Sequence, residues 1–203
     1  WSVMAKNLFP ETIDKISNEL TPMVATARLI KQEHPDASVV FIGPCASKKL
    51  EASRRTVRSD VDFVITFEEL TGMFEAKGIL LDEIKAMDEM KDATAAGRGY
   101  GVAGGVANAI KECIEQYYPG TPVNIQHAES LAECKKALLL AKAGKMNGCL
   151  IEGMACPGGC IAGAGTNIAI PVAARAVDKF KNEAEKKVPD ESVDQEMVEL
   201  EKE

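Results

Sequence analysis

No apolar run in this 203-residue chain approaches the ~18 residues that a membrane-spanning helix requires. An N-terminal signal pattern is also missing, so the expectation is a soluble, unexported, cytoplasmic protein with no membrane partner. Lysine and arginine number 24 against 31 aspartates and glutamates, for a net charge of −7. Without a basic stripe, nucleic acid and anionic membranes are excluded as partners. Six cysteines in a chain of this length are too few for a disulfide framework, so reduced thiols are expected, and clustered ones suggest metal or redox chemistry. An initiating methionine is absent. The chain opens on Trp1, which is read as the start of a piece of something longer.

Apolar residues make up 46% of the chain, enough for a core in one large domain or two small lobes. Pro10 can open a helix, and Thr21-Pro22 supplies an N-cap and first-turn pair for another that His34-Pro35 stops. The run ASVVFIG, residues 37–43, predicts a strand buried on both faces, and DFVIT, residues 62–66, predicts a second before the helical pattern FEELTGMFEAKG. An amphipathic helix is expected over residues 80–91, then one from the Gly/Ala-rich stretch to about Tyr118. PVNIQH is a third strand, SLAECKKALLLAKAG a helix stopped by Gly144, GCLIEG a fourth strand, and residues 169–187 a final helix. Residues 189–203 form a charged peripheral tail. Strands alternating with helices predict an α/β fold with mainly parallel sheets flanked by helices, and two lobes, about 1–95 and 96–188, meeting at a ligand site.

Two loops leave the C-terminal ends of predicted strands, where open α/β sheets bind ligands. In EGMACPGGC, Cys156 and Cys160 flank Pro-Gly-Gly. Thiolates ligate iron–sulfur clusters and other soft metal centres. Gly158 and Gly159 let the backbone curl round an inorganic core with N–H groups pointing inward. Zinc is the alternative, although structural zinc prefers closer pairs and four ligands. A phosphate-binding P-loop is excluded because no Gly-Lys-Ser/Thr follows. In GPCASKKLEA, Cys45 precedes Lys48 by three residues, so a thiolate and a cation can face one bound anion; the plain alternatives are a buried thiol and a solvated turn. That makes three candidate thiolates, where a cubane cluster takes four.

These two motifs resemble the second and third signatures of the catalytic domain of iron-only (FeFe) hydrogenases, M-P-C-x-x-K-x-x-E and E-x-M-A-C-P-G-G-C. The family's first motif ends in tryptophan, where this chain begins. DVDFVITFEEL and RGYGVAGGVANAI also resemble family segments, so that the similarity covers about residues 1–166 in family order. The resemblance implies that Cys45 and Cys156 ligate the 4Fe–4S half of an H-cluster. It implies that Cys160 ligates that cube and bridges to a di-iron subcluster, and that Lys48 hydrogen-bonds a cyanide on the distal iron. Met154 would pack beside the di-iron unit, Ser17 matches a serine near the proton route, and Tyr100 stands where the family often has phenylalanine. The fourth cube ligand would lie before Trp1, on an upstream part of the same polypeptide, and the fragment would be inactive alone. An electron-transfer partner, a ferredoxin or a fused iron–sulfur domain, is implied together with H2 and protons.

Gly43 stands in place of the second motif's methionine, and Ala164 in place of a glycine after the third. Such changes resemble sensory and divergent branches, so hydrogen conversion, hydrogen sensing and a non-catalytic iron–sulfur scaffold all stay open, with Lys48 and Met154 favouring a di-iron-competent parent. Cys113 and Cys134 are read as structural or surface thiols and Cys149 as core. His34 is read as a helix end, and Gly104 and Gly105 as allowing close helix packing.

Overall fold

The β-branched runs pair in parallel, as the alternation of strands and helices predicts, but at two separate places. The computed structural model describes residues 1–55, 57, 60–85 and 93–189. In it β1 (Val40–Gly43) pairs with β2 (Phe63–Thr66), and β3 (Asn124–Glu129) with β4 (Cys149–Met154), both parallel. The helices are α1 (Ser2–Leu8), α2 (Pro22–Glu33), α3 (Ser47–Ala52), α4 (Phe67–Ala76), α5 (Ala95–Arg98), α6 (Gly105–Tyr117), α7 (Leu131–Lys142) and α8 (Ile170–Asn182). This is an α/β protein with parallel sheets flanked by helices. Among the described residues no helix is long and apolar enough to cross a membrane.

The chain divides into two compact units. The β1–β2 unit takes the described residues of 18–85 and also 163–168; the β3–β4 unit takes 1–17, 93–162 and 169–189. Both units are therefore discontinuous, where the sequence reading placed a single division near residue 95. The N-terminal helix joins the later unit because its apolar face has partners there.

In the β1–β2 unit, α2 buries Met23, Val24 and Ala27 against Ala52, Val57 and Val61, with Phe41 and Val64 packed on them. Asp62 fixes the strand register: its carboxylate accepts from the Val39 N–H at 2.7 Å and pairs with Lys31 at 2.9 Å. Thr66 ends β2 and caps α4 in a reciprocal capping box with Glu69. The expectation that these strands are buried on both faces is not met. Val40, Ile42 and Phe63 are 47%, 43% and 63% exposed, because within a two-stranded sheet no described residue covers the second face. The helix expected over residues 80–91 is also corrected. A single 3-10 turn, Leu81–Glu83, stands at its start, Ile79, Leu80, Leu81 and Ile84 are exposed, and residues 86–91 lie outside the described residues. An amphipathic pattern gains a helix only by packing its apolar face.

In the β3–β4 unit, Ala5 and Phe9 pack with Leu138, and Trp1 and Met4 bridge to Ala128, Cys134 and Ala137. Gly153 makes room for this: a Cβ there would lie 3.0 Å from the Trp1 ring and 3.3 Å from Cys134 Sγ. Ser130 N-caps α7 through the Glu133 N–H. Helix α8 ends at Asn182, short of the expected 187, because the following segment turns back to α5, where Ala95 N–H and Ala96 N–H donate to the carbonyls of Lys186 and Lys187 at 2.8 and 2.9 Å.

Candidate metal centre

Strand β4 delivers the cysteine loop: Met154 is its last residue, and Cys156 and Cys160 flank the turn that follows. Gly158 and Gly159 adopt φ of +93° and +90°, a backbone region that favours glycine. Gly159 is also buried against the chain, since a Cβ on it would lie 2.4 Å from Ala103 N and 2.7 Å from Val102 C. Cys156 is half-buried, and Cys160 is exposed at the start of the 3-10 turn Cys160–Ala162.

The loop's amides do not serve as the sequence suggested. The Gly158 N–H donates to Glu129 Oε2 at 3.0 Å and the Gly159 N–H to the Cys156 carbonyl at 3.0 Å. Their directions are set by protein acceptors, because a tight turn next to the carboxylate at the end of β3 satisfies its own donors. The Met154 carbonyl accepts from Ser130 N–H at 2.8 Å, and Ser130 holds φ of +132°, the only non-glycine residue with positive φ among those described. This strained residue joins β3 to α7 beside the loop.

A residue not singled out from the sequence organises this side of the site. Glu152, on β4 and buried, accepts from three backbone N–H groups at the start of α6: Gly104 at 2.5 Å, Val106 at 3.0 Å and Ala107 at 3.1 Å. His127, its register partner on β3, places Nδ1 3.3 Å away. The signal was legible: a carboxylate inside the apolar run CLIEGM has to be paired if that run is a packed strand. Gly104 (φ +84°) begins α6, and a Cβ on Gly105 would fall 2.0 Å from the Gly99 carbonyl oxygen, so these glycines do serve close packing. Tyr100 lies in that packed 3-10 turn beside Cys113, and burial pushes its phenol above the ordinary tyrosine range, with Cys113 adding to the effect.

The expected core role of Cys149 is corrected. It is half-exposed, and its Sγ accepts from Asn124 Nδ2 at 3.2 Å, because it opens β4 at the end of the paired register. Cys134 is buried as a structural thiol, and burial raises its pKa above the ordinary thiol value. Ser17 is exposed just beyond the 3-10 turn Pro10–Lys15.

In the β1–β2 unit, Cys45 is half-buried between β1 and α3, and its carbonyl accepts the Lys48 N–H at 3.1 Å. Lys48 Nζ sits 2.7 Å from Glu51 Oε2, while Glu51 Oε1 accepts the Thr21 hydroxyl at 2.5 Å. Lys49 pairs with Glu69. The segment after the cysteine loop is tied in next to Cys45: Gly165 N–H donates to the Pro44 carbonyl at 3.0 Å, and Glu68 N–H to the Gly165 carbonyl at 3.2 Å. A Cβ on Gly165 would lie 2.5 Å from that of Thr66.

Among the described residues no three His, Cys, Asp or Glu side chains gather as a metal site. The donor chemistry nevertheless fits an iron–sulfur group. Cys156 and Cys160 flank a tight turn whose glycines cannot carry side chains, and Cys45 begins a loop at a strand end, so the soft donors sit where α/β sheets bind ligands.

The family described as iron-only hydrogenase large subunit, C-terminal domain, matches residues 1–164. The periplasmic Fe hydrogenase large subunit of Nitratidesulfovibrio vulgaris is 27% identical over 88% of this chain and 52% of its own length. The cytosolic Fe-S cluster assembly factor NAR1 of Kluyveromyces lactis is 39% identical over a shorter stretch, 34% of this chain and 15% of that protein. Among solved structures, an FeFe-hydrogenase studied for stepwise H-cluster assembly superposes with a TM-score of 0.69 at 22% identity, over 96% of this chain and 67% of that one. The chain spans about half the length of the periplasmic hydrogenase protein that it matches.

Proposed function

The chain belongs to the family formed by the C-terminal domain of the iron-only hydrogenase large subunit, and from that premise we propose that it forms part of an H-cluster type iron–sulfur binding domain. Cys45, Cys156 and Cys160 would hold a 4Fe–4S cluster with its di-iron subcluster, which supplies the redox-active iron at which the parent protein interconverts H2 with protons and electrons, or senses H2. The observation that carries the reading is the Cys156–Cys160 turn, whose two glycines take positive φ and whose Gly159 packs directly on the Val102–Ala103 backbone.

The remaining roles fall to this chain's own residues. Lys48 presents a cation one turn beyond Cys45, and Glu51 holds that cation in place. Met154 ends β4 ahead of Cys156 and supplies a polarisable apolar side chain beside the thiols. Tyr100 contributes a half-buried ring next to the same loop's backbone support, and Ser17 is a hydroxyl for proton passage. An upstream part of the polypeptide supplies the fourth cysteine. That the chain spans about half the length of the periplasmic hydrogenase subunit supports this reading. Electrons pass to a ferredoxin or a fused iron–sulfur domain in a cytoplasmic setting, and the 203 residues alone are inactive.

Anaerobic iron and sulfide analysis with EPR, on this chain and on one extended upstream through the fourth cysteine, tests the reading. The extended chain is expected to take up about four irons and to lose them on Cys45→Ala or Cys156→Ala. Absence of iron uptake by both would overturn it. The match to an Fe-S cluster assembly factor favours a second reading, a non-catalytic scaffold. Infrared bands of carbon monoxide and cyanide after maturation decide for the hydrogenase, and a cube alone with no turnover decides for the scaffold.

A further inference from the structure

We infer that Glu152 and Glu129, one carboxylate from each strand of the β3–β4 sheet, are positioning residues that clamp the cysteine loop from two sides and preset its thiol pair. The inference rests on the reading of Cys156 and Cys160 as ligands. Both glutamates act on backbone groups rather than on a thiol.

The first arm starts at Glu152. One oxygen takes the N–H groups of Val106 and Ala107, the other takes that of Gly104 and faces His127 Nδ1. Three donors on a buried carboxylate pin the first turn of α6 to β4, and with it the bend just before Gly104. That bend is the wall of the cysteine loop. The Ala103 N–H donates to the Gly158 carbonyl at 3.1 Å, and Gly159 lies so close to Val102 and Ala103 that no side chain fits. The second arm is Glu129, the last residue of β3, whose Oε2 accepts the Gly158 N–H at 3.0 Å. Gly158 is thus held at both its carbonyl and its amide. Both peptide groups that flank Gly158 are thereby tied inside the Cys156–Cys160 turn.

A helix cap alone would account for Glu152's contacts with α6, but not for the continuation through Ala103 to Gly158 or for the independent carboxylate on the other side. A preset pair lowers the ordering cost of ligation, as outer-shell partners of metal ligands do.

The test compares the reduced chain with Glu152→Gln, which turns an amide –NH2 toward backbone donors, and with Glu129→Ala. Hydrogen exchange is read at Ala103, Gly158 and Gly159, and Cd2+ affinity by thiolate–cadmium absorbance. Both variants are expected to speed exchange at the loop amides, and each to weaken Cd2+ binding by about 10-fold or more, with Cys160→Ser marking the loss of thiol-dependent binding. Acceleration confined to Val106 and Ala107 in Glu152→Gln, with loop amides at parental rates, would make Glu152 a helix cap only and overturn the clamp. Should Glu152→Gln fail to fold, Glu129→Ala decides: unchanged exchange at Gly159 and Ala103 together with unchanged Cd2+ affinity overturns it equally. If the parent binds Cd2+ without dependence on Cys160, the ligand reading fails, while the exchange data still judge the clamp.

Discussion

Glu51 lies between Lys48 and Thr21, with one carboxylate oxygen 2.7 Å from the ammonium and the other accepting the hydroxyl at 2.5 Å. Thr21 is also the N-cap residue of α2, yet its side chain makes no cap bond and instead donates its hydroxyl to Glu51. The start of α2 is thereby tied to the loop that carries Cys45, and the cation following that cysteine has a fixed counter-charge.

The two side chains of the Lys48–Glu51 pair are 23% and 18% exposed, so the consequences of removing either one are unequal. Glu51→Gln leaves a half-buried ammonium without its counter-charge and weakens the acceptor for Thr21; the expected loss is about 1–3 kcal/mol. Lys48→Met leaves Glu51 still bonded to Thr21 and is expected to cost about 0.5–1 kcal/mol. Urea unfolding midpoints of the two variants check the order. A larger loss for Lys48→Met than for Glu51→Gln would show that the lysine, not the carboxylate, organises the loop.

Two glycines separate backbone necessity from accident. Gly159 has φ of +90° and backbone atoms of Val102 and Ala103 within 3 Å of where a Cβ would stand. Alanine there is expected to destabilise by about 2–4 kcal/mol, through the strained φ and the forced shift of the loop. Gly72 lies in α4, and apart from its own helix backbone no described atom comes within 4 Å of where a Cβ would stand. Gly72→Ala is expected to stabilise by about 0.5–1 kcal/mol. Thermal unfolding of both variants under one set of conditions measures the contrast.

Much of this arrangement was readable from residues in order, because local chemistry decides it. Thr21-Pro22 and His34 bound α2, Ser130 and Gly144 bracket α7, and the run GCLIEG marks β4, Cys149–Met154. Readings that failed depended on what lies across from a segment. ASVVFIG has the composition of a strand covered on both faces, but composition does not say how many strands flank it, and Val40 and Ile42 are exposed beside a single neighbour. Leu80 to Lys91 has helical periodicity without a described surface to receive it, and only one 3-10 turn forms among its described residues. At the site, thiols announce themselves by residue type, whereas Glu152 and Glu129 act through backbone amides 29 to 48 positions away, and no spacing rule brings such partners together.

Thiol reactivity should rank by burial. Cys134 sits against Ala128 and Ala137, with its Sγ 3.6 Å from the carbonyls of Ala128 and Met154, and burial holds the thiol above its ordinary pKa. Timed alkylation with mass-spectrometric readout is expected to label the exposed Cys160 first and Cys134 last. The stability consequence has a definite sign. A group whose folded pKa is raised contributes stability that is fully present below the unfolded thiol pKa and is lost as pH rises through the folded value. Cys134→Ala is therefore expected to flatten the alkaline limb of the stability curve. Labelling of Cys134 at the rate of Cys160 would show that the Trp1–Met4 cover opens readily.

On the acid side the sign reverses. Glu69 is held below the ordinary carboxylate range, first by its hydrogen bond to Lys49 and then by the Thr66 N–H of the capping box; Asp62 is lowered first by Lys31 and then by the Val39 N–H. A lowered carboxylate contributes stability that is present above its unfolded pKa and is lost as pH falls through the folded one. Acid unfolding of the β1–β2 unit is therefore expected to begin just below the ordinary Asp and Glu values. Both groups are solvent-facing, so added salt should weaken the part that comes from the lysines and leave the backbone bonds in place. Glu69→Gln isolates the two contributions. Glutamine can still accept the Thr66 N–H at 2.8 Å while it gives up the charge opposite Lys49. It is expected to keep α4 capped, to reduce the slope of stability against pH in the acid limb, and to remove most of its salt dependence. Circular dichroism melts at several pH values and two salt concentrations measure this, and an unchanged acid slope in Glu69→Gln would assign the acid sensitivity to Asp62 and the register it holds between β1 and β2.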